Sequence, residues 1–158
     1  MKLQILAVGS LNEPFWRAAQ AEYTKRLSRY LPVTVEEAAD LPVPERLSEA
    51  EKARVLDKEG ASLLGKMKPG TVYYCLDSHG KELSSEDWAA WLEARQREGA
   101  NTALLIGGSL GLSDEVKRGA KGLLSFGPMT LPHGLARVVL LEQIYRACRI
   151  LRHEPYHK

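Results

Sequence analysis

Two glycines and two prolines lie within eight residues just before the last long apolar segment, and no other feature constrains the fold as strongly. They are Gly127, Pro128, Pro132 and Gly134. The apolar residues 123–126 before them predict a short buried strand, which would normally pass into its helix through a tight turn. Proline fixes φ and lacks an N–H, while glycine permits positive φ and close approach of another segment. The pattern therefore predicts an irregular loop, either an ordinary connector or a ligand loop at a strand's carboxyl end.

The composition is typical of one soluble domain covering residues 1–158. The chain is 44% hydrophobic and 27% charged, and its length allows a substantial core. No apolar run approaches the roughly 20 residues of a membrane span, and residues 1–4 lack a signal-peptide profile, so we expect a cytoplasmic protein. Cys75 and Cys148 lie in apolar segments without a C-x-x-C partner. They are expected to be buried reduced thiols rather than a disulfide, metal ligands or a nucleophile.

Strand and helix patterns alternate along the whole chain. Apolar runs predict strands at 2–8, 33–37, 71–77, 102–106 and 123–126. Helices are predicted at 12–30, 48–67, 84–99, in a short stretch after residue 113, and at 135–151. Ser48 with Glu51 is typical of a capping box, and Gly99 of a helix end. This order predicts an α/β fold with a mostly parallel sheet flanked by helices, although the strand order cannot be derived from it.

Three of the predicted strands run into candidate ligand loops. These are residues 76–80, residues 107–111 and the loop after residue 126. The carboxyl ends of parallel strands meet at one edge, so the loops are expected to form one pocket. The middle loop fits neither G-x-G-x-x-G nor G-x-x-x-x-G-K-[ST], which disfavours a dinucleotide or nucleoside triphosphate. A glycine-lined pocket without phosphate signals suits an adenosine-type ligand such as S-adenosylmethionine.

The last helix and the charge distribution leave alternatives open. Residues 135–151 place apolar side chains on more than one face of the predicted helix. This helix therefore either crosses the core or forms an oligomer interface. The net charge of +2 is too small to indicate nucleic-acid binding, but basic residues concentrate in the first helix and the C-terminal tail. Such clusters are either solvated faces or, if a dimer axis gathers them, an RNA-binding surface.

Several motifs together resemble one family. They are M-K-L-Q-I-L-A-V-G at 1–9, L-D-K-E-G at 56–60, L-L-I-G-G-S-L-G-L-S at 104–113, M-T-L-P-H at 129–133, R-V-V-L-L-E-Q-I-Y-R at 137–146 and P-Y-H-K at 155–158. The chain is similar over its full length to the ribosomal large subunit methyltransferase H family, of the SPOUT superfamily. The stretch 38–47 is the least typical.

The resemblance implies a specific fold and activity. The fold would be an α/β sheet with a C-terminal deep trefoil knot, which would explain the constrained loop before the last helix. The protein would be a homodimer packed through its first and last helices. It would methylate N3 of pseudouridine 1915 in helix 69 of 23S rRNA, using S-adenosylmethionine and acting on assembled 70S ribosomes.

The resemblance also implies site residues. Cofactor contacts are expected at Leu76, Gly107, Phe126, Gly127, Pro128, Met129, Thr130 and Leu131. Because the target nitrogen must lose a proton, His133 and Arg137 are the catalytic candidates, as a base or a source of positive field. RNA contacts are expected at Arg149, Arg152, Tyr156 and His157, the last two reaching the partner's pocket unless they form an ordinary tail. No metal is expected.

Two other functions would also account for part of the sequence. A non-catalytic RNA-binding module would explain the basic tail but not three converging loops. A SPOUT enzyme that acts on tRNA often carries an added RNA-binding domain, for which 158 residues leave no room.

Overall fold

The computed structural model describes residues 1–158 and contains one sheet of five strands. The strands are β1 (Leu3–Val8), β2 (Val33–Ala38), β3 (Val72–Glu82), β4 (Thr102–Ile106) and β5 (Gly122–Ser125). The helices are α1 (Pro14–Leu27), α2 (Glu49–Lys66), α3 (Ser85–Glu98), α4 (Asp114–Gly119) and α5 (His133–Leu151). The strand order is β2-β1-β4-β3-β5, and every pairing is parallel. The predicted alternation and parallel sheet are confirmed.

The core lies on both faces of this sheet. Every residue of β1 and β4 is buried, as expected for continuously apolar central strands. Leu3 and Ile5 face the larger core cluster, which includes residues of α1, α3 and α5. Leu6 and Val8 face the smaller cluster, which includes residues of α2 and α4. Because side chains alternate along a strand, each central strand serves both layers. Cys75 and Cys148 are buried free thiols, as predicted.

Local sequence signals set most helix ends. Ser48 and Ser84 each form a complete capping box, with Glu51 and Asp87 respectively. Gly99 ends α3 with a φ of 73°. Helix α1 is shorter than the predicted 12–30, since it begins at Pro14, where proline's missing N–H costs no helical hydrogen bond.

Strand β3 is longer than predicted, and this changes the description of residues 76–80. They do not form a free loop but continue the strand through an irregularity between Leu76 and Lys81. The continuation pairs Lys81 with Leu124 of β5, so the neighbouring strand supplies hydrogen bonds that a loop would lack. A Cβ on Gly80 would lie 2.6 Å from the backbone carbon of Leu123. Only glycine allows this approach.

Helix α5 packs on both α1 and α3. Its buried residues are Gly134, Arg137, Leu140, Leu141, Ile144, Tyr145, Ala147 and Cys148. One face of the helix therefore belongs to the core of the single chain, while Leu135, Val138 and Val139 remain half-buried. None of the five helices combines the length and apolar character needed to cross a membrane.

Candidate active site

A cavity of about 460 Å³, called here the first cavity, lies at the carboxyl ends of β3, β4 and β5. Seven of the eight predicted cofactor residues line it, namely Leu76, Gly107, Phe126, Gly127, Met129, Thr130 and Leu131. Pro128 belongs to the same loop but not to the lining. Thus the three segments that the sequence indicates do converge.

Ser125 ties the loop after β5 to its surroundings. Its hydroxyl accepts a hydrogen bond from the Gly127 N–H at 2.9 Å and lies 3.3 Å from the Ser78 carbonyl of β3. Gly127 has a φ of 103°, a conformation that side chains rarely adopt. These contacts hold the loop in a defined conformation beside the cavity. The unusual composition of the loop therefore goes with a fixed conformation rather than with a flexible connector.

An ion pair that the sequence analysis did not predict lies on the wall of the first cavity. Lys117 of α4 lies 2.6 Å from the Asp77 carboxylate, and both residues line the cavity. Burial would raise the pKa of Asp77, but its hydrogen bonds and the Lys117 charge outweigh burial and lower the pKa. Asp77 is therefore an ionised acceptor, the type of group that binds ribose hydroxyls. Its position at the end of an apolar strand was the available signal.

A second cavity, of about 740 Å³, lies at the carboxyl ends of β1 and β2. Seven residues line only this second cavity, namely Val8, Gly9, Ser10, Asn12, Ala39, Asp40 and His133. Both cavities share a wall, formed by Ile106, Gly107, Gly108, Ser109, Thr130, Leu131 and Ala136. The two cavities are therefore adjacent.

The predicted catalytic residues His133 and Arg137 contact each other, and His133 lines the second cavity. Arg137 is fully buried and donates to the Glu37 carboxylate at 2.6 Å and to the Gly9 carbonyl at 2.6 Å. It also lies 2.7 Å from His133 Nε2. Burial would raise the pKa of Glu37, but Arg137 outweighs this effect and lowers it, so the pair is ionised. With no exposed atom, Arg137 positions the Gly9 turn and His133 rather than facing the cavity.

His133 is held as a neutral imidazole. Burial lowers its pKa, and the adjacent positive charge of Arg137 lowers it further. Since Nε2 accepts from the guanidinium, the proton of the neutral ring belongs on Nδ1. The Gly107 backbone also hydrogen-bonds this ring, which connects His133 to the shared wall.

Two of the four predicted RNA-binding residues, Arg149 and Arg152, lie at the other end of α5, whereas Tyr156 and His157 belong to a tail that folds back along the helix. Within one chain Arg149 and Arg152 are distant from His133, because a helix of 19 residues is roughly 28 Å long. Arg149 pairs with Glu154 at 3.0 Å and Arg152 lies over the Tyr30 ring. The Tyr156 hydroxyl donates to Glu142 at 3.1 Å, and His157 Nε2 lies 2.9 Å from Glu86. None of the four residues lines either cavity of the same chain.

Comparison with known proteins decides the family. Residues 1–157 match the family model described as "Predicted SPOUT methyltransferase". The chain belongs to the SPOUT methyltransferase family. It is 48% identical over 159 aligned positions to the ribosomal RNA large subunit methyltransferase H of Carboxydothermus hydrogenoformans, covering all of both chains. The protein of that name from Listeria welshimeri shows the same identity and coverage.

Solved structures support the same fold. A probable methyltransferase from Bordetella pertussis has a TM-score of 0.56 and 12% identity, with 93% of this chain and 94% of that chain covered. A putative methylase family protein from Neisseria gonorrhoeae has a TM-score of 0.51 and 16% identity, with 99% and 95% covered. The expected SPOUT fold with its C-terminal trefoil knot is confirmed, as is the methyltransferase class.

Proposed function

We propose that this SPOUT methyltransferase transfers a methyl group from S-adenosylmethionine to a base of large-subunit ribosomal RNA. The observation that carries this proposal is the pair of cavities with one shared wall. The first cavity holds the donor and the second receives the acceptor base. The names of the relatives that are 48% identical over their full length support rRNA as the substrate.

The two cavities suit methyl transfer because the reaction is an in-line displacement at carbon. The attacking nitrogen and the departing sulfur must lie on opposite sides of the methyl group. No covalent enzyme intermediate is needed, so alignment of the two reactants supplies much of the rate enhancement. The shared wall includes Gly108, whose lack of a side chain leaves space beside Val8 and Asp40 of the second cavity.

The finer proposal follows from the family resemblance. The acceptor is N3 of pseudouridine 1915 in helix 69 of 23S rRNA, methylated on the assembled 70S ribosome in the cytoplasm. Leu76, Gly107 and the loop from Phe126 through Pro128 to Leu131 hold the cofactor. Arg137 acts through His133 and the Gly9 turn, because its own side chain is fully buried.

We further propose that the active form is a homodimer. The half-buried Leu135, Val138 and Val139 of α5 give an apolar surface that a second copy would cover. None of Arg149, Arg152, Tyr156 and His157 lines a cavity of its own chain. In a dimer, they would serve the partner's site.

Mass spectrometry of rRNA from cells with and without the gene tests this function. We expect a single methylated pseudouridine of 23S rRNA to lose its methyl group in the deletion strain. Purified protein with S-adenosylmethionine should restore it on ribosomes from that strain. Unchanged 23S rRNA, or a methyl group lost from tRNA instead, would contradict the proposal.

A further inference from the structure

We propose that the Asp40 carboxylate is the proton acceptor of the methyl-transfer reaction. This inference rests on the function proposed above, because it requires an acceptor nitrogen that carries a hydrogen. An imide N–H is a poor nucleophile until its proton leaves, so the site needs a group that can accept the proton.

Only two ionisable side chains line the second cavity, Asp40 and His133. His133 is poorly suited as a base, because its Nε2 lone pair already faces two guanidinium nitrogens of Arg137, at 2.7 and 3.2 Å. Protonation would place a second positive charge beside this buried arginine. Asp40, in contrast, forms no ion pair and is exposed to the cavity.

The Asp40 carboxylate lies where donor and acceptor would meet. A Cβ built on Gly108 of the shared wall would be 3.5 Å from Asp40 Oδ1. A Cβ built on Gly9 would be 3.9 Å from Asp40 Oδ2 and 3.9 Å from His133 Nε2. The carboxylate therefore sits between the β1 turn and the wall that faces the cofactor cavity.

Glu59 of α2 supports this placement from behind. It is 4% exposed, and its Oε2 accepts a hydrogen bond from the Leu41 N–H at 3.3 Å, which anchors the chain next to Asp40. Burial raises the pKa of Glu59, and the Asp40 charge and a hydrogen bond between the two carboxyl groups add to this effect. Glu59 is a positioning residue, whereas Asp40 contacts the substrate.

The chemical step balances without another reactant. The N3–H proton passes to an Asp40 oxygen, and the electron pair left on N3 forms the new N–C bond. The methyl C–S bond breaks, and its electrons stay on sulfur, which becomes the neutral thioether of S-adenosylhomocysteine. Asp40 then releases the proton to water as the product leaves.

Single-turnover methylation of ribosomes by the wild-type protein, Asp40→Asn and Asp40→Ala tests the inference. The groups around Asp40 are Glu59 from α2 and His133 from α5, with Glu37 and Arg137 behind His133. We expect both variants to bind S-adenosylmethionine with wild-type affinity and to lose about 10²–10⁴-fold in turnover, the usual contribution of a general base. Above neutral pH the wild-type rate should be flat, whereas the variant rates should rise about tenfold per pH unit as hydroxide removes the proton. Formate should partly restore Asp40→Ala.

Glu45→Gln is the matched control, since Glu45 is an exposed carboxylate of the same loop and lines neither cavity. It should keep wild-type turnover. Wild-type turnover in Asp40→Asn, or a loss with an unchanged pH profile, would overturn the role of Asp40 while leaving the proposed function intact. A wild-type protein without activity on ribosomes would overturn both.

Discussion

Gly107 shows how a residue can be important for a reason that its motif does not reveal. In the sequence, it looks like a glycine that leaves space for a ligand. In the structure, a Cβ at this position would collide with the backbone of Gly111 rather than enter the first cavity. Any side chain here therefore deforms the 107–111 loop, which lines both cavities.

We accordingly expect Gly107→Val to abolish cofactor binding and to lower the free energy of unfolding. Gly107→Ala should have the same two effects to a smaller extent. Calorimetric titration and urea unfolding measure the two effects. Gly65→Ala is the control, because a Cβ there has no neighbour within 4 Å and Gly65 lies in α2. It should gain up to about 1 kcal/mol from helix propensity. Unchanged cofactor affinity in Gly107→Val would remove this residue from the site.

Arg137 carries a charge into the core, and its removal should mainly affect stability. Arg137→Met leaves the Glu37 carboxylate and the Gly9 carbonyl without their donor. We expect the free energy of unfolding to fall by about 3 kcal/mol. This is the lower end of the cost of breaking a buried ion pair, because Glu37 is 37% exposed. The control Arg97→Met removes an ion pair of an arginine that is 74% exposed. It should lower the free energy of unfolding by less than about 0.5 kcal/mol. Equal losses in urea unfolding would contradict the structural role of Arg137.

The lowered pKa of His133 makes stability depend on pH in a defined direction. Its ordinary value is 6.5, and burial with the Arg137 charge lowers the value in the folded protein. As the pH falls through 6.5, the unfolded chain takes up a proton that the folded protein resists, so the free energy of unfolding decreases. At pH 7.5 both states are neutral and the effect vanishes. His133→Asn should lose less stability than wild type between pH 7.5 and pH 5.5 in urea unfolding, whereas parallel curves would indicate an unperturbed histidine.

Among the structural elements, α5 combines two roles that its apolar sequence could not separate. Val139 and Ile144 look equally suited to an oligomer interface from the apolar pattern alone. The structure buries Ile144 completely inside the chain but leaves Val139 half-buried. Ile144 thus belongs to the core, and assigning it to a dimer surface is wrong.

The two positions should therefore respond differently to a charge. Val139→Asp should give a folded monomer with little activity, because the charge opposes burial at the proposed interface. Ile144→Asp should unfold the chain itself. Light scattering reports the oligomeric state and circular dichroism the fold. A fully active Val139→Asp monomer would refute the obligate dimer.

For the molecule as a whole, the charge is small for an RNA-modifying enzyme. The net charge is +2, and phosphate neutralisation by basic groups dominates affinity for nucleic acids. Within one chain, the basic residues that could form an RNA-binding surface are those of α1 and of the C-terminal tail. A dimer would gather two such sets, and the surrounding ribosome would hold the RNA hairpin in place.

Methylation should consequently be strong on whole ribosomes, weak on naked 23S rRNA and steeply lowered by salt. Arg149→Ala or Arg152→Ala should raise the KM for ribosomes without changing cofactor affinity. Steady-state kinetics at several salt concentrations measures these effects, with Arg97→Ala as an exposed arginine outside the proposed surface. Equal rates on naked RNA and on ribosomes would defeat this argument.

Much of this fold is readable from the sequence because its signals are local. Capping boxes at Ser48 and Ser84, the glycine at position 99 and the continuous apolar runs of β1 and β4 act over a few neighbouring residues. The same holds for the glycine and proline loop after β5, whose composition predicts an irregular path and which lines one side of the first cavity. The burial of both cysteines followed from their apolar neighbours.

The remaining features depend on which strands are neighbours. Because β1 lies between β2 and β4, Gly9, Asp40 and Gly108 come together although they are far apart in the chain. No local pattern encodes that order, since it results from the packing of all five helices on the sheet. The same packing buries the Arg137 charge and turns residues 76–80 into a strand by providing β5 as a partner. Local chemistry determined the elements and the loops, whereas long-range packing determined which side chains meet in the second cavity.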